Sequence, residues 1–171
     1  MTMPDADGPP SHGAVAPIGL PELNLPAYEP VLRGDGEKRL ILDPVRQLYV
    51  RLTPEEWVRQ HFLRYLTHNC GYPASLMAIE KGFLFQGMAC RADILVHDRR
   101  GKPYLMVECK APGVPIAQTT FDQISRYNRV ISARYLVVTN GLKHYCWTVK
   151  AESGQYSFID GLPRYGRPSE K

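Results

Sequence analysis

The sequence has no run of about 18 apolar residues, so no segment reads as a membrane-spanning helix. It opens without the basic start and continuous apolar stretch of a secretory leader, and a cytoplasmic location is the default expectation. Its four cysteines, Cys70, Cys90, Cys109 and Cys146, form no C-x-x-C pair, and none of the five histidines (His12, His61, His68, His97, His144) stands at zinc-ligand spacing from them. A structural zinc is therefore not expected. An even cysteine count in a short chain admits disulfides, but Cys90 and Cys146 lie in strand-like runs and nothing suggests export, so buried reduced thiols are the expectation. Internal repeats at periods of about 20–50 residues are also missing.

A strong excess of one charge is lacking too: 21 Lys and Arg against 17 Asp and Glu leave a formal net charge of +4. The distribution is more telling than the sum. Residues 1–80 carry seven basic and ten acidic side chains, residues 81–150 carry eleven and four, and the last stretch balances at three each. The basic excess marks the segment where a polyanion would dock, or simply a solvated surface.

What is present suits one ordinary domain. The 171 residues are 44% hydrophobic and 22% charged, enough to form a core without staples. Residues 1–30 hold seven of the fifteen prolines together with Gly8, Gly13 and Gly19, which predicts a disordered or loosely draped arm. The expected domain covers residues 31–165, with ordered structure starting near Lys38, and residues 166–171 form a tail. Leu40-Ile41-Leu42 reads as a short strand. Thr53-Pro54-Glu55-Glu56 is a helix start, with Thr53 as N-cap, proline at the first position and Glu56 completing a capping box. Trp57, Val58, His61, Phe62, Tyr65 and Leu66 repeat at helical spacing, and Asn69-Cys70-Gly71 stops the helix. Strands are expected over Leu76–Phe85, Ala89–Val96 and Tyr104–Lys110, then a helix from Thr119 to Ile131. Tyr135–Thr139 and Leu142–Val149 follow as a hairpin about Asn140-Gly141, and Tyr156–Ile159 adds an edge strand. The fold class is α/β (α+β), a mixed sheet with helices packed against it.

A hairpin centred between Arg100 and Gly101 sets Asp93 opposite Glu108, on one face, with Cβ atoms about 4.5–5.5 Å apart. Side chains alternate along a strand, so Glu108 and Lys110 share that face while Cys109 points behind it. Two carboxylates so close repel, and a cation between them resolves the conflict. Mg²⁺, for which Mn²⁺ can substitute, takes carboxylate and water oxygens with few protein ligands, and the backbone carbonyl of Cys109 is a candidate third donor. Such a site has the parts that phosphodiester hydrolysis needs, with Lys110 orienting water and offsetting developing charge. A bare E-x-K is a weak signal, because Glu and Lys alternate on many solvated strands. Here it follows Tyr104-Leu105-Met106-Val107, apolar without alternation and so buried on both faces, and Asp93 sits in an equally apolar run. Charges at the end of a buried strand are costly unless they are used.

Arg91-Ala92-Asp93-Ile94-Leu95-Val96, Glu108-Cys109-Lys110-Ala111-Pro112, Gln123-Ile124-Ser125-Arg126-Tyr127-Asn128 and Thr139-Asn140-Gly141 together resemble the N-terminal nuclease domain of type I restriction enzyme R subunits. That domain belongs to the PD-(D/E)xK superfamily, and the resemblance runs from about residue 38 to 165. It implies a restriction-endonuclease-like fold, a DNA endonuclease activity of restriction-modification type, and DNA and other restriction-modification subunits as partners. It further implies that Asp93 and Glu108 hold metal, that Lys110 is the catalytic lysine, and that Gln123 and Tyr127 form the family's Q-x-x-x-Y element. Glu56 or Glu80 resembles the extra acid of some members; for Glu56 the capping box is the better account. Outside the resemblance, Gln123 reads as a helix-surface amide and Tyr127 as core. The superfamily's proline before the first acid is Ala92 here, and no G-x-x-x-x-G-K-[ST] loop occurs, so this sequence carries no motor of its own. Arg91, Arg126, Arg129 and Lys143 are candidate contacts to DNA backbone, or solvated positions. A non-catalytic binding module retaining the fold is the alternative function, and a thiol hydrolase using Cys109 with His144 is a third.

Overall fold

The structure is a computed structural model that describes residues 19–150 and 153–166. Helix α1 spans Pro54–Arg64 for the reason its sequence gives: Thr53 accepts the Glu56 amide at 3.0 Å on its side-chain oxygen, and the proline sits where no amide donor is needed. Its end is less abrupt than expected. One wide turn, Tyr65–Asn69, follows, in which the Cys70 amide reaches back to the Tyr65 carbonyl, and Gly71 then leaves with φ +73°.

A six-stranded sheet forms the centre, built from β4 (Met77–Phe85), β5 (Met88–His97), β6 (Pro103–Cys109), β7 (Tyr135–Thr139), β8 (His144–Val149) and β9 (Tyr156–Ile159), side by side in that order. Every neighbouring pair is antiparallel except β6 and β7, which run parallel and are joined by helix α2 (Gln118–Ile131). The helices cover opposite faces. Trp57, Val58, Phe62, Leu63 and Leu66 of α1 pack with Ile94, Val96, Leu105, Val107 and Val137, whereas Ile124 of α2 packs with Leu95, Met106, Leu136 and Val138. This is the mixed, helix-flanked sheet that the sequence leads one to expect. A second, three-stranded antiparallel sheet precedes it: β1 (Leu32–Arg33), β2 (Leu40–Asp43) and β3 (Leu48–Arg51).

Three expectations need correction. The arm was expected to run to residue 30, but residues 19–30 lie against the domain: Leu23 is buried, the Asn24 amide donates to the Gly141 carbonyl at 2.8 Å, and Trp57 Nε1 donates to the Pro21 carbonyl at 3.1 Å. Residues 1–18 of that arm, and residues 167–171 of the tail, lie outside the described residues. Strand β8 begins at His144 rather than Leu142, because residues 140–143 form a four-residue loop in place of a two-residue turn. Asn140 Oδ1 accepts the amides of Leu142 and Lys143 at 3.0 and 2.8 Å, and this side-chain turn sets the loop length. Lastly, the first strands number three where one is expected, since Leu32–Arg33, ahead of Lys38, and Leu48–Arg51 both pair with β2.

Candidate active site

The β5–β6 hairpin has the anticipated register, pairing Ile94 with Val107, Leu95 with Met106 and Val96 with Leu105, before a bulge at His97. Asp98 closes the turn by accepting the Arg100 and Lys102 amides. Continued by one residue, this register sets Asp93 beside Glu108. The two strands part there, because β6 goes on pairing with β7 through Glu108 and Cys109. Asp93 fills the gap, its Oδ2 accepting the freed Cys109 amide at 2.7 Å. It is thus the amide of Cys109, rather than its carbonyl, that meets Asp93.

Glu108 is buried, and its Oε1 accepts from Lys110 Nζ at 2.7 Å and from Gln123 Nε2 at 3.4 Å. Gln123 also points its amide at the Tyr127 hydroxyl, at 3.5 Å, and the Tyr127 ring stands edge-on to Phe83 and Phe85. The helix α2 pair therefore backs the acid. Burial, followed by the charge of Asp93, pushes the Glu108 carboxyl above the ordinary range despite Lys110. Burial disfavours the charged Lys110, yet its bond to Glu108 carries its pKa upward. Cys109 sits behind, in the core shared with α1, its thiol driven well up by burial and then by Asp93. His144 is engaged elsewhere: Nδ1 meets Thr139 Oγ1 at 2.8 Å and Nε2 the Asn24 carbonyl at 2.9 Å, and burial lowers its pKa. Those contacts leave neither ring nitrogen to activate the Cys109 thiol.

Behind Asp93 lies a charge cluster that the sequence did not disclose. Arg59 of α1, side chain 3% exposed, contacts Asp93 Oδ1 at 3.0 Å, Glu55 Oε1 at 3.3 Å and Glu80 Oε1 at 3.4 Å, and donates to Glu56 Oε2. Thr53 caps the helix on the Glu56 amide, as expected, but the Glu56 carboxylate turns to Arg59 and Gln60 rather than back to the Thr53 amide, which corrects the capping-box account of that side chain. Burial raises the Glu56 carboxyl, with Arg59 opposing. Glu80 occupies the β4 position between the Ile79–Ile94 and Lys81–Ala92 pairs, beside Asp93, with φ +52°. It engages Arg46, Arg59 and, at 2.9 Å, Arg91. Burial opposes its charge, but the Arg46 bond and the neighbouring guanidiniums win and lower its pKa. Arg59 escaped notice because it stands off the apolar stripe of α1, and an arginine three and four residues after two glutamates is normally a surface pair.

Of the candidate DNA contacts, Arg91 stays exposed while holding Glu80, and Arg126, exposed on α2, donates to the Asp122 carbonyl at 3.3 Å. Arg129 and Lys143 are exposed, Lys143 in the β7–β8 loop and far along the sheet order from Arg91. Among the described residues no three His, Cys, Asp or Glu side chains gather into a ready metal cage, and no helix is long and apolar enough to cross a membrane. Two hard carboxylates, Asp93 and Glu108, are near enough for the charge of one to raise the pKa of the other. Their chemistry fits a divalent cation that keeps most of its ligands as water or substrate oxygen.

The family model for the N terminus of type I restriction enzyme R protein (HSDR_N) matches residues 54–163, from the first residue of α1 to beyond β9. The chain belongs to this family. The matched span holds Asp93, Glu108, Lys110, Gln123, Tyr127, Glu56, Glu80 and Arg59, while Asp43, Arg46 and the three-stranded sheet precede it. A solved fragment assigned to an HsdR subunit of a type I restriction enzyme from Vibrio vulnificus YJ016 is similar at 20% identity and a TM-score of 0.48. The likeness covers 66% of this chain and 24% of that one, so this HSDR_N chain matches about a quarter of that protein's length. No curated protein matches.

Proposed function

We propose that this HSDR_N chain is a metal-dependent DNA endonuclease domain of restriction-modification type that hydrolyses phosphodiester bonds. The observation that supports the reading is that Asp93 bonds the Cys109 amide while Glu108, its neighbour in register, bonds Lys110, just beyond the last β5–β6 pair. Asp93 and Glu108 would hold Mg²⁺, or Mn²⁺ in its place, with the Cys109 carbonyl as a candidate third donor. A cation there supplies electrophilic polarisation of the phosphate and makes a water more acidic. Lys110 positions Glu108 through its 2.7 Å bond and places a positive charge where the phosphate gains negative charge. Gln123 steadies the same carboxylate from α2 and also reaches the Tyr127 hydroxyl. Exposed Arg91, Arg126, Arg129 and Lys143 are proposed to meet DNA backbone, and other restriction-modification subunits are the proposed protein partners.

Purified protein should nick supercoiled plasmid in Mg²⁺, and Asp93→Asn or Glu108→Gln should each lower the rate by about 100-fold or more. Variants that keep their circular dichroism and cut as fast as the parent would remove the assignment. One observation favours a second reading, a DNA- or protein-binding module that retains the fold without cutting: both oxygens of Asp93 already have partners, Arg59 and the Cys109 amide. That module would retard DNA in a gel equally well with and without Mg²⁺ and leave plasmid intact.

A further inference from the structure

Arg59 is placed where it competes with a cation for Asp93. Its Nη2 stands 3.0 Å from Asp93 Oδ1, and its side chain is buried. A guanidinium and a divalent ion on one carboxylate oxygen repel each other, strongly so in a site with little water. Arg59 also has other anions to hold. Nη1 serves Glu56 and Glu80, and Nη2 shares Glu55 with Asp93, while Nε has no hydrogen bond among the described residues. Three glutamates therefore remain in reach if the Asp93 contact opens. The arrangement also sets Arg59 apart from Arg46, which belongs to the same cluster through Asp43, Glu80 and Glu56 but makes no contact with Asp93.

Resting on the metal-holding role of Asp93 proposed above, we propose that Arg59 is a positioning residue that occupies Asp93 in the metal-free protein and yields it, towards Glu55, Glu56 and Glu80, when a divalent cation enters. Cation binding and the Arg59–Asp93 contact are then antagonistic. The affinity of the free domain for metal is held down, and loading is favoured only when a phosphate adds further oxygens.

The test is Mn²⁺ binding to the full chain without DNA, read by electron paramagnetic resonance. Arg59→Gln should bind Mn²⁺ at least tenfold tighter than the parent, whereas Arg46→Gln, which removes the same charge from the cluster without touching Asp93, should stay within about threefold. Arg59→Lys should restore much of the parental weakness. Equal tightening by both glutamine variants would mean net charge alone and would overturn the proposal, as would unchanged or weaker binding by Arg59→Gln. Binding by Arg59→Gln when the parent shows none supports it. If neither binds, and Glu108→Gln changes nothing, the metal reading itself has failed and Arg59 falls with it; a parent that binds through Glu108 but is indifferent to Arg59 refutes this inference alone. Should Arg59→Gln fail to fold, the parent still decides: Mg²⁺ should shift the Arg59 guanidinium nitrogen resonances in step with binding, and resonances that do not move would end the idea.

Discussion

Glu108→Gln should make the metal-free protein more stable while removing its metal response. The ionised Glu108 is buried, and an ion in such a place loses several kcal/mol of hydration. Asp93 adds repulsion, partly offset by the Arg59 guanidinium that it holds at 3.0 Å. The charge-assisted bond from Lys110 returns about 1.5–3 kcal/mol. The balance is unfavourable to the ion, in agreement with a carboxyl whose pKa is raised by burial and by Asp93. Glutamine keeps an oxygen for Lys110 and drops the charge, so a gain of about 1 kcal/mol is expected at pH 7–8, or about 2–4 °C in Tm for a chain of this size. A group with a raised folded pKa binds more protons folded than unfolded, so the parent loses stability as pH rises from the ordinary glutamate value through the raised one. The advantage of Glu108→Gln should therefore shrink as pH falls through that window. Thermal melts in chelator at low salt, across pH 4.5–8, read both effects. Added Mg²⁺ at ten times its dissociation constant would stabilise the parent by about 1.4 kcal/mol and the variant hardly at all, which reverses their order. A variant less stable than the parent without metal, by a margin independent of pH, would refute this account of the site.

Gly141→Ala should cost about 1–3 kcal/mol, read as a lower urea midpoint: φ is +81°, and a Cβ there would lie 2.7 Å from Leu23 Cδ2 and 3.1 Å from Val58 Cγ2. Leu23→Ala added to it should recover part of the loss. In native protein a thiol reagent should modify Cys90 first, because Cys70, Cys109 and Cys146 are buried and burial raises their thiols, Cys146 to about 12; rapid labelling of all four would contradict the packing. Arg126→Gln with Arg129→Gln should weaken DNA binding and lower the slope of log affinity against log salt by about one to two, and an unchanged slope would take both residues off the DNA path.

Local chemistry is what made much of the fold readable. Thr53 and Pro54 start α1 because a cap and a missing donor are needed there, and both effects act within one turn. The β5–β6 register followed from unbroken apolar runs on either side of a turn that Asp98 closes, so the pairs up to Ile94 and Val107, next to Asp93 and Glu108, could be placed from their spacing alone. Asn140-Gly141 misled for an equally local reason. The Asn140 side chain can stand in for a backbone turn, and it accepts two amides further on instead of leaving a two-residue connection. Non-local demands were invisible. Leu23 packs where Gly141 leaves room for it, and the burial of Arg59 brings in acids from two strands, Glu80 and Asp93, besides the two on its own helix. Neither fact has a signature within ten residues of the side chain concerned.

Asp93 shows why the architecture and the site cannot be separated. Strand β6 leaves β5 after Val107 in order to complete its parallel pairing with β7, and this parting takes the Cys109 amide away from β5. A buried amide without a partner costs about 1–3 kcal/mol, so some acceptor must follow the parting. Asp93 Oδ2 is that acceptor at 2.7 Å, while Oδ1 balances the buried charge of Arg59. Truncation to alanine would strip both functions at once, leaving an unpaired amide and a guanidinium short of one anion, and the resulting loss of fold would say nothing about chemistry. Asparagine keeps an oxygen for the Cys109 amide, removes the negative charge and turns an N–H donor towards Arg59. Asp93→Asn should therefore retain a cooperative melt, at a Tm lowered by the weakened Arg59 contact, and lose its response to Mg²⁺. If it melts like the parent and still gains stability from Mg²⁺, the carboxylate holds no cation.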